Sequence, residues 1–341
     1  MPWSKSVIDD SINALKDGIF TSLDIEFGGS CSFSCIYCET PYRDKESSIN
    51  LNKIIEFIST KQFKWIYVCG IGEPTHKKNE YFLRVILEAC RLYGTKCSIF
   101  TNLAEFPKWL IEFIKDDILY LVIKFDSLNP ENLKKIYQTK DIGTYFKNLE
   151  NIFNLVQSKD GITNIAASIV PTSKNINEIE SLVNTCLEND IFPFIGQLEY
   201  SGSAKKTFKK LYINNECLQS QKKIIETIIG EKYFIPICPA LLSSFHISNE
   251  NKVTVDQRTG LSCHWFWLDE PRIENLCELT DEISIQEITK KLFEIRISKF
   301  KYFVSSEMKL KYEVFGGCGG NKRDIFNIYF DLVERSSENG K

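Results

Sequence analysis

Leu23-Asp24-Ile25-Glu26-Phe27 runs directly into Gly28-Gly29-Ser30-Cys31-Ser32-Phe33-Ser34-Cys35-Ile36-Tyr37-Cys38. A strand-like run of branched and aromatic residues ends in a glycine turn and then in a loop with three thiols. Downstream, the same kind of run recurs at Trp65 to Cys69, Lys96 to Thr101, Leu119 to Phe125, Asn164 to Val170 and Phe192 to Glu199. The segments between carry helical spacing: Leu51, Ile54, Ile55, Ile58; then Phe82, Val85, Ile86, Ala89; then Phe146, Leu149, Ile152, Phe153, Val156. Asn175 with Glu178 reads as a capping box ahead of a face of Ile176, Ile179, Leu182 and Val183. Six β-α repeats in series predict an α/β fold, a partial (β/α)6 TIM-like barrel, with its chemistry at the carboxyl ends of the strands.

The alternation stops after Ser201-Gly202-Ser203-Ala204, and a basic helical connector covers about Lys205 to Ile229. The sequence therefore divides at residue 215 into a barrel, 1–215, and a connector with a small, irregular carboxyl-terminal domain, 216–341. With 42 basic and 45 acidic side chains the formal charge is −3, and no like-charged block points to nucleic acid. No apolar run approaches the roughly 20 residues that span a bilayer, and the start around Lys5, Asp9 and Asp10 lacks a signal-peptide core. A cytoplasmic protein without a membrane partner is expected. Twelve cysteines are then more than a reducing compartment would use as disulfides, and metal ligation is the usual alternative. Cys90 and Cys186, on apolar helix faces, and Cys97, in a strand, read as packing.

Cys31, Cys35 and Cys38 are different, because they share one loop at the catalytic end of the barrel. Three local thiolates can leave one iron of a cluster open, whereas structural clusters close with four. A zinc site or a chance gathering of thiols is the competing reading, although no histidine lies nearby and no second C-x-x-C knuckle accompanies the loop. The C-x-x-x-C-x-aromatic-C spacing, with Tyr37 before Cys38, closely resembles the signature of the radical S-adenosylmethionine (radical SAM) superfamily. The resemblance implies a 4Fe-4S cluster on these three cysteines whose open iron binds S-adenosylmethionine. One-electron reduction, from a donor such as flavodoxin or ferredoxin, would then yield a 5′-deoxyadenosyl radical. Cys69-Gly70-Ile71-Gly72-Glu73-Pro74 looks like the family's glycine-glycine-glutamate motif, with Ile71 in place of the second glycine, and this carries the methionine-ammonium role to Gly72 and Glu73. By the same resemblance Asn102, Asp126, Ser127 and Ser168, at later strand ends, contact cofactor or substrate. Each is read equally well as a polar strand end or helix cap, and Tyr37 equally well as an adenine contact or a packed aromatic.

Cys238, Cys263, Cys277 and Cys318 resemble the ligands of the auxiliary-cluster extensions called SPASM and Twitch. The likeness includes a hairpin-like stretch at Asn251 to Val255, a helix at about Ser284 to Ile297, and glycines around Cys318. A full SPASM extension has more cysteines than this, including a pair that Lys301 to Phe315 lacks. One auxiliary 4Fe-4S cluster is the implied complement, with Cys277 as fourth ligand or, alternatively, an open iron; buried thiols or a zinc site with His264 are the other readings. The expected activity is radical modification of a ribosomally made peptide, by cross-linking, epimerisation or oxidation, with Trp265 and Trp267 near the site. A second reading keeps the mechanism on a sugar, an aminocyclitol or another small metabolite, with Cys69 or Cys217 as a hydrogen donor. A third is a zinc-stabilised binding module without turnover.

Overall fold

The computed structural model describes residues 5–38, 46–68, 71–158, 161–196, 198, 202–213, 228, 244–257 and 273–305. Helix α1 (Lys5–Lys16) precedes β1 (Ser22–Ile25), and then the β-α alternation begins: α2 (Leu51–Ser59), β2 (Trp65–Val68), α3 (Glu80–Tyr93), β3 (Lys96–Thr101), α4 (Leu110–Lys115), β4 (Leu119–Lys124). It continues through α5 (Pro130–Tyr137), α6 (Gly143–Gln157), β5 (Ile165–Ile169), a 3-10 turn (Ile176–Glu178), α7 (Ile179–Glu188), β6 (Phe192–Ile195) and α8 (Ala204–Leu211). All six strands expected from the sequence form, each ending within a few residues of its expected limits. Local chemistry sets the helix ends. The Asn50 side chain accepts from Lys53 N to start α2, and Asn129 with Pro130 at the first turn starts α5.

Strands β1 to β6 are parallel in sequential order, which is the partial barrel. Where the sequence predicts an irregular carboxyl-terminal part, the described residues are regular and continue the same sheet. Strand β7 (Ser244–Ile247) pairs parallel to β1, and β8 (Lys252–Asp256) and β9 (Ile273–Glu278) follow antiparallel. The order is β6-β5-β4-β3-β2-β1-β7-β8-β9, so β1 is an interior strand and the sheet crosses the division at residue 215. The Ser248–Asn251 turn between β7 and β8 makes the expected hairpin, and the expected late helix is α9 (Ile285–Ser305).

The helices pack on one face of this sheet, against Leu23, Ile25, Ile66, Ile99, Leu121 and Ile247 among others. Cys90, Cys97 and Cys186 are buried in that core, as their spacing predicts. The capping box does not form. Asn175 makes no side-chain cap bond. Its amide donates instead to Asp126 O at 2.9 Å and Val170 O at 3.0 Å. The Glu178 carboxylate accepts from Ser127 Oγ at 2.7 Å, Leu128 N at 2.9 Å and Asn132 Nδ2 at 2.8 Å. The loop after β4 presents buried donors and carbonyls that must be paired, and these outcompete the local cap.

Candidate active site

The chain leaves β1 with Glu26 N donating to Ile247 O, then turns through Gly28 into the cysteine loop. Backbone contacts from several elements hold that loop. Ser34 N and Ile36 N donate to Tyr137 O and Ile136 O at the end of α5, each at 2.9 Å, and Ser203 N donates to Cys38 O at 2.7 Å just ahead of α8. The Phe33 ring stacks on Tyr137 with centroids 5.0 Å apart. Cys35 is buried, while Cys31 and Cys38 are partly open.

The β2–α3 loop lies on top of the cysteine loop. Glu73 N donates to Ser30 O at 2.8 Å. Gly72 has φ +74°, and a Cβ there would sit 2.3 Å from Gly28 O and 2.9 Å from Gly29 C and Ser30 O. Only glycine permits this approach. Asn79 clamps both loops: its Oδ1 accepts from Gly28 N at 3.1 Å, and its Nδ2 donates to Gly28 O at 3.1 Å and Glu73 O at 2.9 Å. The Glu73 carboxylate is buried, and it accepts from Asn102 N at 2.8 Å and from Thr75 N and Thr75 Oγ at 3.1 and 2.7 Å. Burial raises its pKa from the ordinary value, against the pull of those donors. Asn102 completes the link, because its Nδ2 donates to Cys31 Sγ at 3.2 Å.

Beneath Cys35 the ends of β4 and β5 carry a second group. The Tyr37 hydroxyl donates to Asp126, whose other oxygen accepts from Val170 N at 3.0 Å. Lys124 Nζ stands 4.4 Å from the centre of the Tyr37 ring, and Ser168 is its register partner on β5. Burial raises the Cys35 thiol to about 12, with Lys124 lowering it and Cys38, Cys31 and Asp126 raising it further. Cys31 and Cys38 are thus close enough to oppose the ionisation of Cys35, which a bound cation would relieve. As they stand, no three His, Cys, Asp or Glu side chains among the described residues surround a common point. In number and chemistry the donor set still suits an iron-sulfur cluster, three thiolates with one iron left over.

Residues 25–180 match the radical SAM superfamily. The chain carries a radical SAM domain. It is an enzyme of that type, and the superfamily implies a 4Fe-4S cluster and S-adenosylmethionine. A GTP 3′,8-cyclase of Clostridium botulinum (strain Okra / Type B1) is 24% identical over 229 residues, 65% of this chain and 68% of the cyclase. Among solved structures, Streptococcus suis SuiB bound to its precursor peptide SuiA is 15% identical with a TM-score of 0.55, over 84% of this chain and 70% of SuiB. Native anSMEcpe with bound AdoMet and Cp18Cys peptide is 16% identical with a TM-score of 0.53, over 94% of this chain and all 100% of the other. These likenesses show the fold.

The structure therefore brings Cys31, Cys35, Cys38, Gly72, Glu73 and Asn102 into one connected set, with Tyr37, Asp126 and Ser168 beside it. The Ser127 hydroxyl donates to Glu178 at 2.7 Å. Cys277 is half-buried on β9, three strands from β1, and burial raises its thiol pKa. Cys238, Cys263 and Cys318 lie outside the described residues, as do Cys69, Gly70, Glu199, Cys217, His264, Trp265 and Trp267. Two features escape the sequence. Asn79 offers no signal beyond preceding a helix, and the Tyr37–Asp126 pair joins residues that sequence treats singly.

Proposed function

We propose that Cys31, Cys35 and Cys38 hold the 4Fe-4S cluster and that the enzyme modifies a ribosomally made peptide, by cross-linking, epimerisation or oxidation. When bound, the cluster with S-adenosylmethionine supplies the 5′-deoxyadenosyl radical that removes a hydrogen atom from the substrate. The chain's own contribution is placement and exclusion of water. Asn102 bonds Cys31, Asn79 and Gly72 fix the turn below it, and the packed Phe33–Tyr137 pair closes the loop's inner side. Tyr37, Gly72, Glu73, Asn102, Asp126 and Ser168 are the groups proposed to meet S-adenosylmethionine or substrate at the strand ends. For Glu73 the donors already on its carboxylate favour action through its main chain and its hold on Asn102. Ser127 is proposed to brace this surface through Glu178.

One auxiliary 4Fe-4S cluster is proposed on Cys238, Cys263, Cys277 and Cys318, of which Cys277 is described. A flavodoxin or ferredoxin as reductant and a cytoplasmic setting complete the reading; no described helix is long and apolar enough to cross a membrane. The observation that carries the peptide substrate is extent: the likeness to peptide-bound anSMEcpe runs through 94% of this chain, past the barrel. The cyclase likeness favours a second reading, a small-molecule substrate.

Iron per chain after anaerobic reconstitution, compared with the Cys31→Ala, Cys35→Ala, Cys38→Ala triple variant, tests the cluster assignment. About eight irons falling to about four is the expected result, and zinc without iron overturns it. Peptide-stimulated release of 5′-deoxyadenosine supports the peptide substrate, whereas stimulation by GTP alone selects the second reading.

A further inference from the structure

The inner face of the sheet, opposite the helices, has two chemically different halves. Phe100, Val122, Ala166, Phe192 and Phe194 form one apolar cluster on β3 to β6. Across β7, β1 and β3 the alternate positions to the helix-facing Leu23, Ile25, Ile99 and Ile247 are polar: Ser22, Asp24, Glu26, Ser98 and His246, with the aromatic Trp65 and Tyr67 of β2 standing between β1 and β3. Asp24 and His246 are register partners on adjacent strands. The imidazole lies between two carboxylates, Nδ1 at 3.3 Å from Asp24 Oδ2 and Nε2 at 3.3 Å from Glu26 Oε1, and all three residues are less than a tenth exposed.

Burial works to lower the His246 pKa, but Glu26 and Asp24 outweigh it and raise it to about 10, so the ring is an imidazolium at neutral pH. The trio thus holds a positive ring between two carboxyl groups. It does not form a metal site, because the ring spends both nitrogens bridging the carboxylates. Glu26 has its second oxygen left, since its ionic contact among the described residues is to His246 through Oε1. Ser22 Oγ and Ser98 Oγ, both fully buried on the same face, have no hydrogen-bond partner among the described residues. Buried polar groups left in this state are costly unless a ligand pairs them.

We propose that this wall recognises a cationic nitrogen of the substrate, an ammonium or guanidinium on an aliphatic stem, with Glu26 taking the charge and the Phe100–Phe194 half taking the stem. A buried carboxyl group on the same sheet face as an apolar cluster is complementary to that chemistry. His246 and Asp24 are positioning residues, holding Glu26 in place. The inference rests on the proposed reading of the barrel interior as the substrate chamber.

The test uses the full chain, reconstituted anaerobically and labelled at histidine. It has three histidines, His76, His246 and His264, so the resonance of His246 is assignable with a His246→Gln variant. The probes are n-butylammonium, n-butanol and GTP. Expected is a saturable shift of His246 by butylammonium, at least about tenfold tighter than by butanol, weakened at least about tenfold in Glu26→Gln while His76 is unmoved. Should Glu26→Gln fail to fold, the butylammonium-to-butanol ratio on the wild type decides. Equal binding of butanol or GTP, undiminished binding in Glu26→Gln, or no shift at all overturns the proposal. Butylammonium binding without stimulation of S-adenosylmethionine cleavage by any peptide retains this site and sinks the peptide reading. Peptide turnover indifferent to lysine against norleucine does the reverse.

Discussion

Replacing Gly72 by alanine tests whether contact between the two loops builds the site. The new Cβ would lie 2.3 Å from Gly28 O and 2.9 Å from two further backbone atoms, none of which can rotate away like a side chain. A normal carbon–oxygen contact is about 3.3 Å, so the cysteine loop must retreat by roughly 1 Å. Left-handed backbone adds about 1 kcal/mol for alanine at φ +74°, and the overpacking adds roughly 1–3 kcal/mol. Gly94 supplies the control, because it has φ +75° at the end of α3 with no atom within 4 Å of its Cβ position. Gly94→Ala should lose about 1 kcal/mol and keep its iron. Gly72→Ala should lose about 2–4 kcal/mol and, at a temperature where it remains folded, hold less iron and release 5′-deoxyadenosine at least tenfold more slowly. The measurements are urea unfolding, iron per chain and reductive cleavage of S-adenosylmethionine. If Gly72→Ala matches Gly94→Ala in all three, the loop contact does not position the cluster and the reasoning fails.

Asn79→Ala strips the pairing from Gly28 N, Gly28 O and Glu73 O; we expect a loss of about 1–3 kcal/mol by urea unfolding together with faster iron loss to a chelator. Unchanged iron retention would place Asn79 outside the site's support. Tyr37→Phe leaves the fully buried Asp126 without its phenol donor and should cost about 1–3 kcal/mol, whereas a neutral result would mean that another donor replaces it. For His246 the folded pKa, about 10, lies above the unfolded value. Its contribution is therefore fully present below about pH 6.5 and is lost as pH rises through 10. The gap in unfolding free energy between wild type and His246→Gln should be a few kcal/mol at pH 6 and shrink towards pH 10; a gap constant with pH would show that the imidazolium does not form.

What the sequence makes legible follows the range of the forces involved. The strand periods and the C-x-x-x-C-x-x-C spacing are local, and β3 forms over Lys96–Thr101, the limits its pattern predicts. The thiols of Cys90 and Cys97 announce themselves as packing in the same way. The carboxyl-terminal strand β7 is harder to see, because its inner-face members, Ser244 and His246, are polar and no β-α repeat leads into it. Such a strand forms because β1 offers it an unpaired edge, and no local propensity reports that edge.

Side-chain roles at the site fail to transfer from pattern for a related reason. Asn175 and Glu178 satisfy a capping rule in sequence, yet both are drawn to the loop after β4, where a buried carbonyl, a backbone N–H and the Ser127 hydroxyl lacked partners. The partners in these bonds are about 50 residues apart in the chain. The same accounting explains Glu73. Its carboxylate is the acceptor within reach of Asn102 N and Thr75 N, and a buried N–H left unpaired costs more than an exposed acid gains from water. An acid that a motif assigns to a ligand is thus committed first to the main chain around it. The ligand-facing groups of this barrel should accordingly be sought where a polar atom remains unpaired among the described residues after that accounting, as at Ser22 and Ser98 on the inner face of the sheet.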